Sequence, residues 1–352
     1  MELNNIVFSF ILLFFGYFAS KYFLLFLNRS KSNFLTDDQF KKPQAFHESS
    51  TYRLGGIIIF LLLIIVFLYL YVFKNIFYFE FVSFCSLFFI LGLADDLKMN
   101  IPPKFRLLAM IFFLLGLVMY NNFNIERISL EYLDNLIRID IFALFFVSLC
   151  FLFIINGSNL IDGFNGLLSI HALIIFAILF FINFTQGNYK LAYALFYICL
   201  VVLIFTKLNF PIAKIFLGDS GAYLLGTLIS ISTIMTNNLN PSISSFFFCI
   251  ILFYVFFEVF FSFFRKIFFV GQNPLLPDRQ HLHMLLYKLL LKKNKKKIVA
   301  NYKVSIYTNV AYLLLLIPGF IFMDNGLFCR YYFFFLLIIY TLFYKTLYNN
   351  VK

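Results

Sequence analysis

Five polar clusters interrupt a chain that is otherwise mostly hydrocarbon: HESSTYRLGG from His47, ADD with Asp95 and Asp96, NGSNLIDGFNG from Asn156, FLGDSG from Phe216 and PDRQHLH from Pro277. Adjacent carboxylates such as Asp95 and Asp96 can hold Mg²⁺, or one can accept a proton while the other stays ionised. Asn156, Asn159, Asp162 and Asn165 stand among glycines just before a hydrophobic run, where the free N–H groups of a helix start favour an anion. Asp219, between Gly218 and Gly221 at the head of another run, would as a metal ligand sit beside exposed N–H groups, and Asn209, Pro211 and Lys214 lie just upstream. His281 and His283, with Asp278 and Arg279, are candidate phosphate donors, proton carriers or metal ligands. Arg53, followed by Gly55 and Gly56, can grip a phosphate through two N–H groups. Taken singly, each cluster also reads as a helix stop, a polar turn, a cap or a basic anchor. Membrane anchoring gives no reason for five of them on one face.

The elements that must carry these residues are set by composition. With 62% hydrophobic and 12% charged residues and a mean hydropathy of +0.92, a soluble domain with a polar surface is excluded. Runs able to cross roughly 30 Å of hydrocarbon fall at about 3–27, 54–73, 76–94, 105–120, 140–156, 166–183, 190–206, 220–236, 243–264, 304–323 and 330–348. They predict an all-α polytopic membrane protein with about 11 transmembrane helices. The eighth run is short and rich in Ser and Thr, and the ninth is expected to break or to run on as an amphipathic segment. The first lacks a basic leader and a cleavage site and reads as a retained helix. If spans alternate, one side holds only Lys74, Arg127, Arg138, Lys190 and Arg330 of the 28 basic residues. The positive-inside rule then puts the N-terminus outside, the C-terminus in the cytoplasm and all five clusters on the cytoplasmic face. The Lys run from Lys288 to Lys303 reads as a stop-transfer and anionic-lipid contact rather than a nucleic-acid site. The five Cys read as core hydrophobes, and His171, inside a run without polar sequence neighbours, reads as structural. Residues 1–352 form a single domain, with a motif-bearing core at about 45–290 and a cytoplasmic loop at 265–303.

In order and spacing, HxxxTxRLGG, GLADD followed by Lys104, NxxNxxDGxNGL, NxPxAKIFxGDSG and PDRQHLH resemble the polyprenyl-phosphate N-acetylhexosamine-1-phosphate transferases, glycosyltransferase family 4. The resemblance covers roughly residues 45 to 290. It implies that undecaprenyl phosphate attacks the β-phosphorus of a UDP-N-acetylhexosamine at the cytoplasmic face of a bacterial inner membrane, releasing UMP, with Mg²⁺ (or Mn²⁺) holding the diphosphate. The product would start a cell-envelope glycan such as O-antigen. Carried over by position, Asp219 and Asp95 are metal ligands, and Asp95, Asp96, Asp162, His281 and His283 are catalytic. His47, Arg53, Lys104, Asn156, Asn159, Asn165, Asn209, Arg265 and Arg279 contact substrate, and Glu258 matches an acidic position ahead of the histidine loop. The partners implied are the UDP-sugar, undecaprenyl phosphate and the lipid bilayer, with no nucleic acid and with a homodimer as a candidate assembly. Tyr52 replaces a frequent Pro, Asn165 a frequent Asp, and Met284 a frequent third His. HLHM and TYRLGG point to the GlcNAc or modified-hexosamine branch, with the phospho-MurNAc-pentapeptide transferases as the alternative. From a different class, a secondary transporter would place coupling acids at the bilayer midplane in repeated halves. Here they stand at span ends and no repeat is visible.

Overall fold

A lipid solvent offers no hydrogen bonds, so each hydrophobic run must satisfy its own backbone, and it does so as a helix. The computed structural model describes residues 3–29, 35–37, 51–99, 101–271, 273, 278–293 and 296–352. Its long helices are α1 (Leu3–Arg29), α2 (Gly55–Lys74), α3 (Phe79–Asp96), α4 (Pro103–Asn121), α6 (Asp140–Ile161), α7 (Leu167–Thr185), α8 (Tyr189–Asn209), α9 (Gly218–Leu239), α10 (Ser245–Phe264), α12 (Lys297–Ile321) and α13 (Gly326–Val351). Short helices α5 (Glu131–Leu136) and α11 (Leu282–Lys293) complete the set. The protein is an all-α polytopic membrane protein, and each expected span has one long helix. Among the described residues, nine helices are long and apolar enough to cross a membrane. The two long helices outside that group are α3, which carries Glu80, Asp95 and Asp96, and α9, which is rich in Gly, Ser and Thr.

Helix α9 is polar because it never meets lipid. It is buried along almost its whole length and packs against α2, α3, α6 and α7. Thr227, Ser230 and Thr236 donate to the carbonyls of Tyr223, Gly226 and Ser232 one turn back, so their hydroxyls cost little inside the bundle. Close approach of α3 needs Gly92, where a Cβ would come within 2.5 Å of the Asp219 carbonyl oxygen and the Ser220 Cα.

Two boundaries differ from the sequence expectation, and a third, at the end of α10, continues as expected. Helix α6 continues through NGSNLI, so Asn156 and Asn159 ride on its last turns and the loop is only the stretch from Asp162 to Gly166. Helix α10 runs on as a π-helical turn, Arg265–Val270. Helix α12 begins at Lys297, seven residues before the apolar run, because its basic first turns need no lipid.

A small sheet, β1 (Thr36–Asp37), β2 (Thr51–Arg53) and β3 (Ile215–Phe216), has β2 antiparallel to β1 and parallel to β3. Arg53 pairs with Phe216, which fixes the first loop against the turn that enters α9. The start of α9 meets the end of α3 through Asp96, the end of α6 through Asn159, and the start of α2, where the Gly56 N–H donates to the Leu217 carbonyl at 2.9 Å. Described residues from four of the five clusters therefore gather at one end of the bundle. His47 and Pro277 lie outside the described residues.

Candidate active site

Asp96 is the keystone of the first group. It closes α3 and reaches across to the unsatisfied first turn of α9, where its oxygens accept the Asp219 N–H (2.9 Å), the Ser220 N–H (2.9 Å) and the Ser220 hydroxyl (2.7 Å). One helix thus caps another. Gly218 permits it: its φ is +77°, and a Cβ there would lie 2.6 Å from an Asp96 oxygen. The Arg53 guanidinium stands 3.6 Å from Asp96, whose side chain is fully buried. Asp95 is engaged as well, held at 2.7 Å by Arg106 from the first turn of α4.

Asp219 and Asp162 differ from these. Asp219 accepts one neutral hydrogen bond, from Asn159 at 3.0 Å, and neither acid has an ion-pair partner within 4.0 Å among the described residues. Asp162 follows the last turn of α6. Burial first, then the charges of Asp219 and Asp96, push its carboxyl up to about 8, with Arg53 only partly opposing them.

The histidine group is built differently. His281 Nδ1 lies 3.1 Å from Glu258 and Nε2 lies 3.2 Å from Asp278, whose other oxygen accepts from Arg265 at 2.6 Å. Arg265 also donates to Gln280 at 2.8 Å. The His281 and Arg265 neighbours hold Asp278 below the usual carboxylate range despite its burial. His283 meets the Tyr254 hydroxyl through Nδ1 at 3.2 Å, while its Nε2 has no hydrogen-bond partner. Burial pulls the His283 imidazole down to about 4, which keeps it neutral. Phe164, from the same turn as Asp162, stands edge-on to the His283 ring at 5.8 Å and so joins the two groups.

Several expected substrate contacts are engaged elsewhere. Asn209 accepts the Gly166 N–H (2.6 Å) and donates to the Ile215 carbonyl (2.8 Å), bracing one loop against the other. Asn165 donates to the Pro211 carbonyl at 3.0 Å, which an aspartate could not do, while its backbone N–H meets Asn301 of α12. Asn156 donates to Leu152 of its own helix. Lys104 and Arg279 are exposed, and Met284 is a core residue at 1% exposure. His171 remains buried, yet it has polar company in Asn309 at 3.1 Å. Sequence reasoning missed Arg106, Ser220, Tyr254 and Asn301 as members of these networks. The one signal available was Arg106, two residues past Lys104 in the first turn of the next helix.

Among the described residues, eleven long helices gather buried acids and imidazoles at one end of a multi-pass membrane protein. Residues 78–237 match the family described as Glycosyl transferase family 4. That stretch carries Asp95, Asp96, Asp162 and Asp219 and ends before the histidine group. The chain is 28% identical over 253 residues, 72% of each protein, to an undecaprenyl-phosphate alpha-N-acetylglucosaminyl 1-phosphate transferase of Thermotoga maritima. It is 34% identical over 193 residues to a phospho-N-acetylmuramoyl-pentapeptide-transferase of Dictyoglomus turgidum, covering 53% of this chain and 59% of that protein. A relative from Escherichia coli O157:H7 with the same name as the Thermotoga protein is 28% identical over 209 residues, 55% of its length.

Proposed function

We propose that the protein transfers an N-acetylhexosamine-1-phosphate, GlcNAc-1-phosphate first among them, from its UDP-sugar to undecaprenyl phosphate at the cytoplasmic face of a bacterial inner membrane. The observation that carries this is the uncompensated pair Asp162 and Asp219 where helix ends converge. The pair fits a hard divalent cation such as Mg²⁺, which takes one or two carboxylates and completes its shell with substrate phosphates and water. Among the described residues no group of three His, Cys, Asp or Glu gathers that could hold a metal alone. Asp219 and Asp162 would hold it. Asp95, expected as a ligand, is instead neutralised by Arg106. When bound, the cation would offset charge on the diphosphate.

A phosphate oxygen of the acceptor forms a bond to the β-phosphorus, the bond from that phosphorus to the bridging oxygen breaks, and the electron pair departs with UMP. A phosphate monoester has its second pKa near about 6, so the acceptor is largely dianionic at neutral pH and needs no strong base. That is consistent with Asp95 and Asp96 being fully engaged. Asp96 fixes the turn that aims Asp219, Asn159 orients the Asp219 carboxylate, and His283 offers its free ring nitrogen as the group beside the phosphates. The GlcNAc branch is favoured by HLHM in place of three histidines and by the longer shared span with the Thermotoga protein.

The test is radiolabel transfer to undecaprenyl phosphate from a panel of UDP-sugars that includes UDP-GlcNAc, UDP-GalNAc and UDP-MurNAc-pentapeptide, with UMP measured alongside. Label in the lipid with equimolar UMP from an N-acetylhexosamine donor is expected. Transfer from the pentapeptide donor alone would move the protein to the other branch, and no UMP from any donor would overturn the assignment.

A further inference from the structure

The C-terminal helix reaches into the histidine group, and nothing in the transfer chemistry so far uses it. Tyr340 of α13 donates to the second oxygen of Glu258 at 2.6 Å, and the first oxygen accepts the Leu282 N–H at 3.0 Å as well as His281 Nδ1. One buried carboxylate therefore ties three elements together: α10, which carries it, the first turn of α11, and α13. Tyr344, one turn further along α13, donates to the Gln280 carbonyl at 3.0 Å.

The ring of His281 is 2% exposed and lies between two acids. A neutral imidazole has one N–H; Nδ1 makes a hydrogen bond to Glu258, and Nε2 stands 3.2 Å from Asp278, an ion-pair contact that is favourable when this second nitrogen also carries a proton. The charged and titratable groups around it are Glu258 from α10, Asp278 from its own loop and His283 from α11. Arg265 stands behind Asp278 and Tyr340 behind Glu258. Two carboxylates, Glu258 and Asp278, thus face the His281 ring, and Arg265 and the buried Lys266 stand beside Asp278. Glu258 and Tyr340 are both buried.

We propose that Glu258, oriented by Tyr340, is a positioning residue that holds His281 as a permanent imidazolium, so that His281 supplies fixed positive charge behind the phosphates rather than carrying protons to and fro. This deepens the transfer reading above and rests on it for its kinetic arm only. Tyr340 becomes the link through which the C-terminal helix sets the geometry of the site.

The experiment combines kinetics with ¹⁵N-histidine solid-state NMR on the full chain in bilayers. The chain has only four histidines, so His281 is assigned by single substitution of the others. In the wild type both His281 nitrogens should be protonated at pH 7.5. Glu258→Gln keeps an acceptor oxygen but loses the charge. It should leave His281 with one bare nitrogen and lower kcat by about tenfold to a hundredfold, the range of a lost charge-assisted hydrogen bond, with KM for both substrates within about twofold. Glu258→Asp should recover part of kcat. Tyr340→Phe removes one hydroxyl and should lower kcat by about threefold to tenfold, and it decides the matter if Glu258→Gln does not fold. A wild-type His281 with a bare nitrogen, or a Glu258→Gln protein with unchanged kcat, overturns the proposal. So does a loss of kcat while both nitrogens keep their protons. If the wild type transfers no sugar phosphate, the function falls, and the NMR arm alone still judges the role of Glu258.

Discussion

The two halves of the site solve the same electrostatic problem in opposite ways. Around His281, two carboxylates lie within hydrogen-bond distance of the imidazole, and Arg265 and the buried Lys266 stand beside one of them. Around Asp219, four carboxylates share two guanidinium groups, Arg53 and Arg106. Charges buried near a lipid boundary are costly unless paired, and the second group keeps two carboxylates, Asp162 and Asp219, without an ion-pair partner among the described residues. Rigidity is placed where geometry must be kept, and residual charge where a ligand must be bound.

The sharpest break of this contrast is Asp219→Asn. It removes a charge from the unanswered side without changing shape, and Asn159 can still meet the remaining side-chain oxygen. Turnover should fall by about a thousandfold or more, in line with loss of a group that fixes the charge of a transferring phosphoryl centre. The purified protein should keep its thermal transition. Wild-type turnover in this variant would show that the surplus charge is idle.

Next in size is an effect of pH on stability that has opposite sign in the two halves. His283 is held near about 4 in the fold against an ordinary 6.5, so the folded state refuses a proton that the unfolded chain accepts. Its contribution is intact above pH 6.5 and is lost as pH falls toward 4, at about 1.4 kcal/mol per unit and about 3 kcal/mol in all. Asp162 runs the other way: with its carboxyl raised to about 8, the metal-free fold binds a proton that the unfolded chain releases. Its contribution is therefore lost progressively as pH rises from the ordinary 3.8 to about 8 and is gone above that, and added Mg²⁺ should weaken that slope. Thermal melts across pH 4.5–9, with and without Mg²⁺, check both signs. The two opposed slopes overlap below pH 6.5, so His283→Gln should uncover the fall of stability with rising pH and Asp162→Asn should uncover the rise, and unchanged profiles in these variants would detach the titrations from these residues.

Much of this was legible in the chain and some could not have been. Eleven apolar runs and the clusters at their ends follow from the bilayer alone, because hydrocarbon dictates helices and expels carboxylates to the boundary. What the sequence does not encode locally is which acid is already engaged. Asp95 and Asp96 look alike as neighbours, yet one faces Arg106 and the other caps a helix that begins more than 120 residues later. Asn209 and Asn165 have the composition of ligand contacts and act as braces because two loops happen to meet there. Tyr340 carries no signal at all, since one tyrosine among 22 becomes special only when α13 packs against α10. Helix α9 shows the same limit from the other direction: its Ser and Thr content weakens it as a span because it lies inside the bundle, where no lipid selects for apolar side chains.

Arg106 tests whether pairing in the acid-rich half is structural. Arg106→Met leaves Asp95, 8% exposed, without its partner and should destabilise the protein by about 2 kcal/mol, less than for a fully buried pair because Arg106 keeps partial contact with water. Adding Asp95→Asn should restore most of that loss, and a double variant no more stable than the single would show that the pair is not coupled.

The smallest effect separates Lys104 from Arg106, two cations two residues apart on α4. Arg106 is turned inward onto Asp95, whereas Lys104 is exposed and makes no hydrogen bond or ion pair among the described residues. An exposed ammonium at the rim of an acid-rich site can contribute only a screened attraction for an incoming phosphate, worth about 0.5–1 kcal/mol. Lys104→Gln should therefore raise KM for the UDP-sugar by about twofold to fivefold with kcat unchanged, and the difference from wild type should vanish as salt is raised from 50 to 500 mM. A salt-independent loss in kcat would place Lys104 against the reacting phosphates, and no change at all would make it only a basic anchor at the membrane surface.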